Sequence, residues 1–260
     1  MMHNIPMIFE ASQEATASFK RVAPGLERRD LFFARATIGA ADACIYRMNG
    51  QIEVPQFQQL NSFEFFFVLR GTLGIESPTG VEIFAAADAA WQQQLFGSGR
   101  LHAGAGLEVL HISAPVGSPI GASQAISSQP IVSRNHSGAF GSSKGGPRDF
   151  FAYRDFGVAP ASSRQVDVQL LAAQRPREGG TGWHSHSMGQ LFVVLSGSAV
   201  IDTTITGPLV FTAGDAMVLP YRMIHNVPQF SADYSLLQIQ FPADYETFSE
   251  TAPSTRESSS

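Results

Sequence analysis

Residues 182–197 read GWHSHSMGQLFVVLSG. Two histidines one residue apart, His184 and His186, share one face of a β-strand, because strand side chains alternate with period two. Gln190 follows, then the apolar run Leu191 to Leu195, then Gly197. Residues 214–225, GDAMVLPYRMIH, end on a third histidine, His225. Three imidazoles and one amide oxygen on adjacent antiparallel strands form a ligand set for a divalent metal. The HxH pair alone is weak; the strand pattern around it and His225 give it weight.

Outward from this stretch, the chain from Arg29 onward is a series of short apolar runs broken by Gly, Pro, Asn and Asp. FEFFFVL (63–69), LEVLHIS (107–113), VDVQLLAA (166–173) and LLQIQF (236–241) are examples. Such punctuation is that of an antiparallel sandwich or barrel, and helical periodicity is confined to a short segment, Ser12 to Arg21, that suits a turn or two.

The runs also repeat. Arg29-Asp30 precedes Arg154-Asp155 by 125 residues, Gly71 precedes Gly197 by 126, and Asp88-Ala89 precedes Asp215-Ala216 by 127. VLHISAP (109–115) and LLQIQFP (236–242) keep the same register. A tandem duplication of one all-β unit is the economical explanation.

The second unit resembles the cupins, small double-sheet jelly rolls. His184, His186, Gln190 and Gly197 follow the spacing of that family's first motif, and Gly214, Pro220 and His225 that of its second. The glycine expected before His184 is displaced by one, to Gly179. Gln190 stands where the motif has Glu, Arg222 where it has Gly, and Gln229 where it has Asn. The resemblance implies an all-β fold of two tandem cupin (jelly-roll) barrels. It divides the chain into an N-terminal arm (1–27), a degenerate barrel (28–117), a Gly/Ser/Pro-rich linker (118–147), a metal-binding barrel (148–248) and a disordered tail (249–260). Carried onto the first unit, the ligand positions fall on Gln58, Leu60, Glu64 and Ser98, a set without an imidazole that cannot hold a transition metal tightly. His102 and His111 are then ordinary hydrogen-bonded residues, and an inward Glu64 calls for a partner.

The implied cofactor is one divalent transition metal, with Fe, Mn, Ni, Co and Zn equally compatible, held by His184, His186, Gln190 and His225. A Gln ligand leaves the cation its full charge, which suits stabilisation of an enolate or carboxylate more than of a higher oxidation state. Cupins with three His and one Gln include isomerases, polyketide cyclases and sugar-acid enzymes. The leading expectation is Lewis-acid isomerase, cyclase or lyase chemistry; an Fe(II)-dependent dioxygenase and a non-catalytic small-molecule-binding module are the alternatives. Trp183, Met188, Phe192, Arg222 and Gln238 are candidates for the substrate pocket, with Tyr221 and Tyr234 at its rim. Arg222 is suited to a substrate carboxylate, although its place in a turn favours the plain alternative of an exposed arginine.

Strand alternation puts Gln190, Phe192 and Val194 inside, with Leu191, Val193 and Leu195 outside. In the first unit Glu64, Phe66 and Val68 point in, while Phe63, Phe65 and Phe67 point out. Three outward phenylalanines cannot be left in water. Either the two units pack through these faces or the chain forms a homodimer.

Composition excludes other classes. Of 260 residues, 44% are apolar and 15% charged, and the net charge is -5, which opposes nucleic-acid binding. A single cysteine, Cys44, rules out an intrachain disulfide framework. The opening MMHNIPMIFEASQ has no charged segment leading into an apolar one, and no run is long enough to span a membrane. The expected partner is a small molecule, and the expected location is the cytoplasm.

Overall fold

The computed structural model describes residues 8–10, 19–53, 62–77, 80–93, 100–115, 131–135, 140–141, 149–175 and 179–252. The first half contributes β1 (Ile8–Glu10), β2 (Lys20–Ala23), β3 (Leu26–Asp30), β4 (Asp42–Glu53), β5 (Ser62–Arg70), β6 (Thr72–Ser77), β7 (Gly80–Ala85), β8 (Ala89–Gln93) and β9 (Arg100–Pro115). After β10 (Ile131–Ser133), the second half contributes β11 (Phe151–Asp155), β12 (Asp167–Ala173), β13 (His184–His186), β14 (Gly189–Ser196), β15 (Ser198–Thr203), β16 (Gly207–Thr212), β17 (Ala216–Leu219), β18 (His225–Phe230), β19 (Ser235–Phe241) and β20 (Thr247–Ser249). Two single-turn helices, α1 (Phe33–Ala36) and α2 (Val158–Ala161), complete the described elements.

All pairings are antiparallel, and they build three sheets. One runs β1-β17-β14-β19-β12-β11, a second β16-β15-β18-β13-β20. The third runs β10-β8-β5-β9-β4-β3-β2, with β6 on β9 and β7 on β6. Among the described residues none of them closes on itself, and the expected jelly-roll units are seen as open sheets facing one another. The long strand β9 pairs with β4, β5 and β6, which curls the third sheet around its own core.

Period-two alternation sorts the apolar residues into three cores. Phe66 and Val68 join Cys44, Leu73, Phe84 and Val109 inside the first half. Phe192 and Val194 join Ile201, Phe211 and Leu236 between the two sheets of the second. The opposite faces meet each other: Phe63, Phe65 and Phe67 pack in one cluster with Leu191, Val193, Val218, Leu237 and Ile239. Phe156 lies edge-on to Phe65 and Phe67, at 5.5 and 5.8 Å between centroids. The phenylalanine row is therefore covered within a single chain, each ring contributing about 2–3 kcal/mol by burial.

Hydrogen bonding repeats with the sequence. Asp30 Oδ1 accepts the Phe32 N–H at 2.6 Å and Asp155 Oδ1 the Gly157 N–H at 2.8 Å, each opening one of the helical turns. Thr37 Oγ1 accepts from Ala41 N–H, as Ser162 Oγ does from Val166 N–H, both at 3.0 Å. Asp88 accepts from Ala85 N–H and Asp215 from Thr212 N–H.

The leading segments cross over. β1 pairs with β17, Glu10 opposite Ala216, while β10 pairs with β8, Ser133 opposite Ala89. Each half thus lends a short strand to the sheet of the other, and the Gly/Ser/Pro-rich linker contains one of them. Lys20 and Arg21, expected at the end of a helical turn, lie in β2; residues 11–18 fall outside the described part. Ser249, the first residue of the expected tail, belongs to β20; residues 253–260 are outside the described part.

Candidate metal centre

β13 and β18 are hydrogen-bonded neighbours with His184 directly opposite His225, and His186 two residues along β13 shares their face. The three ring centroids stand 4.2, 4.8 and 5.5 Å apart. Their candidate ligand atoms all lie within 4.8 Å of one another, and the three residues are 6%, 2% and 1% exposed in chain order. Gln190 comes from the other layer, on β14 in the six-stranded sheet. The site is thus assembled across the sandwich rather than along one sheet.

Local backbone fixes the rings. His184 Nδ1 is 2.7 Å from the Gly182 carbonyl, and His225 Nδ1 is 2.9 Å from that of Met223. A carbonyl can only accept, so Nδ1 carries the proton and Nε2 carries the lone pair, the tautomer that ligates a metal. His186 Nδ1 is held instead by Thr247 Oγ1 at 3.0 Å. Anchored tautomers and converging rings make the triad fit for a divalent ion.

Two glycines permit this placement. Gly180 has φ +61°, and a Cβ there would sit 1.7 Å from the Val227 carbonyl oxygen on β18, so the loop into β13 can approach only as glycine. It, rather than the Gly179 picked out by spacing, makes the close contact. Gly197 has φ +66° and would meet Ser231 Oγ at 2.4 Å.

The triad and Gln190 open onto a cavity of about 30 Å³, together with Gln238, Thr181, Phe151, Leu171, Phe192, Val227, Tyr234 and Leu236. No acid, lysine or arginine is among these lining residues. Burial pushes the Tyr234 phenol far above its usual range, so it stays neutral. Of the expected pocket residues, Phe192 and Gln238 line the cavity beside Tyr234. Met188 is buried, and Trp183 is half-buried with its carbonyl accepting from Glu250 N–H. Tyr221 is exposed. Arg222 is exposed too, with its guanidinium 3.5 Å from the Phe248 ring centroid and its backbone N–H bonded to the His186 carbonyl. Sequence reasoning missed Thr181, which also accepts from Val227 N–H, and Thr247, whose pairing with β13 no local pattern announces.

Glu64 occupies the matching place in the first half, and an imidazole does enter there, from β9. His111 Nε2 bonds to Glu64, its Nδ1 lies 3.9 Å from Cys44 Sγ, and Phe66 stacks on the ring at 4.7 Å. Burial alone would lower the His111 pKa; hydrogen bonds to Cys44 and Glu64 outweigh it and raise the pKa to about 10. Among the described residues, the groups of three or more metal-ligating side chains reduce to the single triad in the second half. Gln58, Leu60 and Ser98 lie outside the described residues.

No helix among the described residues is long and apolar enough to cross a membrane. No protein-family model matches the chain, and none of the curated proteins does. Solved structures do match. A Pseudomonas aeruginosa protein described as glyoxylate-induced aligns with a TM-score of 0.67 at 13% identity, over 98% of this chain and 94% of that one. The protein Ylba from E. coli gives 0.67 at 10% identity, over 94% of both chains. Lactobacillus farciminis oxalate decarboxylase, as its formate complex, gives 0.62 at 13% identity, over 96% of this chain and 89% of that one. At such identities the likeness is one of fold alone, here an all-β arrangement that carries a buried histidine triad.

Proposed function

We propose that the protein is a duplicated cupin in which the second unit, residues 148–248, binds one divalent transition metal through His184, His186, His225 and Gln190. The first unit, residues 28–117, is degenerate, with His111 and Glu64 filling its interior in place of a ligand set. The substrate is a small carbonyl or carboxylate compound, and the reaction is an isomerisation, cyclisation or lyase step.

The observation that carries this reading is the neutrality of the site: three imidazoles and two amides line the cavity, with no carboxylate among the described lining residues. A metal ion bound there supplies Lewis acidity with its charge uncancelled by the protein, which favours an anionic substrate oxygen. Phe151, Leu171 and Phe192 exclude water on the apolar side, while the Gln238 amide supplies both donor and acceptor toward the substrate. The cavity is only large enough for a small group beside an ion. Oxalate decarboxylase, named for a two-carbon dicarboxylate, shares the fold and accords with a small acid here.

Elemental analysis of protein purified without chelators should find about one metal per chain. Small carboxylates should then bind to metal-loaded protein and not to chelator-treated protein. Equal binding to both would sink the reading.

A further inference from the structure

His184 and His225 are anchored by carbonyls two residues before them, Gly182 and Met223, so their orientation is set by the residues leading into their own strands. His186 is anchored differently. Its Nδ1 meets the Thr247 hydroxyl, 61 residues further along, in β20. Tyr245, just ahead of β20, sets its ring edge against His186 at 5.5 Å and 85°. Its hydroxyl accepts from Gln240 Nε2 at 3.1 Å. Gln240 is the residue directly opposite Gln190 across β14 and β19, is 0% exposed, and its Oε1 has no hydrogen-bond partner among the described residues. Tyr245 thus holds one end of that amide and leaves the other toward its remaining neighbours.

The segment carrying both groups is lightly attached. β20 is three residues on the outer edge of β13. Ser187 N–H bonds to the Glu246 carbonyl and Glu246 N–H to Ser187 Oγ, Ser185 bonds to Glu250, and Arg164 pairs with Asp244. Tyr245 is 37% exposed. A short edge strand with little apolar burial opens at a low free energy compared with the core.

We infer that residues 244–250 form a strap whose docking completes the metal site, Thr247 positioning His186 and Tyr245 positioning Gln240. The inference rests on the metal-site reading above. Coupling of this kind is reciprocal: if the docked strap raises metal affinity, bound metal holds the strap down by the same factor.

The test uses the full chain and Co(II) alone, whose visible absorption reports both occupancy and ligand geometry. Thr247→Val keeps the shape and removes the hydroxyl, and should weaken Co(II) binding about 10- to 100-fold with an altered spectrum. Thr247→Ser should restore both. In the wild-type chain, saturating Co(II) should slow amide hydrogen exchange across residues 245–250. Wild-type affinity and spectrum in Thr247→Val, or strap exchange indifferent to Co(II) in the wild type, would overturn the strap while leaving the metal site standing. If the wild-type chain fails to bind Co(II), or His184→Ala binds it equally well, the metal-site reading falls and the strap falls with it. The wild-type exchange measurement stands even if Thr247→Val does not fold.

Discussion

Arg29 donates to the Gly214 carbonyl at 3.1 Å, and Arg154, its counterpart 125 residues later, donates to the Ala87 carbonyl at 2.7 Å. Each half drives a buried guanidinium under a turn of the other, and Arg154 also reaches the Ser133 carbonyl and hydroxyl in β10. Replacing Arg154 by Met keeps the length of the stem and strands those carbonyls without a donor. The expected cost is about 2–4 kcal/mol, read as a lower urea midpoint. An unchanged midpoint would show that water replaces the guanidinium at no cost.

Phe65 is 0% exposed at the seam between the halves. Phe65→Ala should cost about 3–5 kcal/mol in thermal or urea unfolding. Ile83→Ala, on a residue 55% exposed in β7, should cost under about 0.5 kcal/mol. Equal losses would contradict the packing described for the row.

His225→Ala should abolish stoichiometric metal binding with far-UV circular dichroism unchanged, since the backbone pairing of β18 with β13 and β15 does not depend on the ring. Gln190→Glu should tighten the hold on a divalent ion by adding a negative ligand, and weaken small carboxylates by at least about tenfold through lost net charge. Titration calorimetry separates the two effects. Tighter carboxylate binding in the Glu variant would exclude an electrostatic role for Gln190.

His111 gives a stability signature above neutral pH. Its folded pKa, about 10, lies above the 6.5 of a free imidazole, so the folded state holds a proton that the unfolded state releases. The contribution is complete below about pH 6.5 and is lost as pH rises toward 10, with a slope of at most about 1.4 kcal/mol per pH unit. Tyr46 and Tyr234, whose phenols burial also pushes up, act in the same sense only above about pH 10. Glu64→Gln should flatten the decline between pH 6.5 and 10 in urea titrations. A decline equally steep in both proteins would remove the Glu64–His111 pair as its source.

The layered arrangement was legible because alternation is a local property. Phe63, Phe65 and Phe67 against Phe66 and Val68 already separate an outer face from an inner one, and the cores divide along that line. The triad was legible for a similar reason: HxH is one strand, and His225 ends a motif of fixed spacing. Partners set by long-range register were not. Glu64 demanded a partner, but nothing near it in sequence names His111 on β9. β10 is held by three backbone pairs, so no side chain of the Gly/Ser/Pro-rich stretch names β8 as its partner. Arg222 is adjacent to the motif, yet its stacking on Phe248 depends on β20, whose docking the sequence does not announce.

The crossed strands have a consequence for how the chain could be divided. A protease cut between residues 116 and 130 would leave two fragments, each with a raw sheet margin and each carrying the peptide that seals its neighbour's. Such fragments should recombine on mixing, and neither should behave as a self-sufficient module.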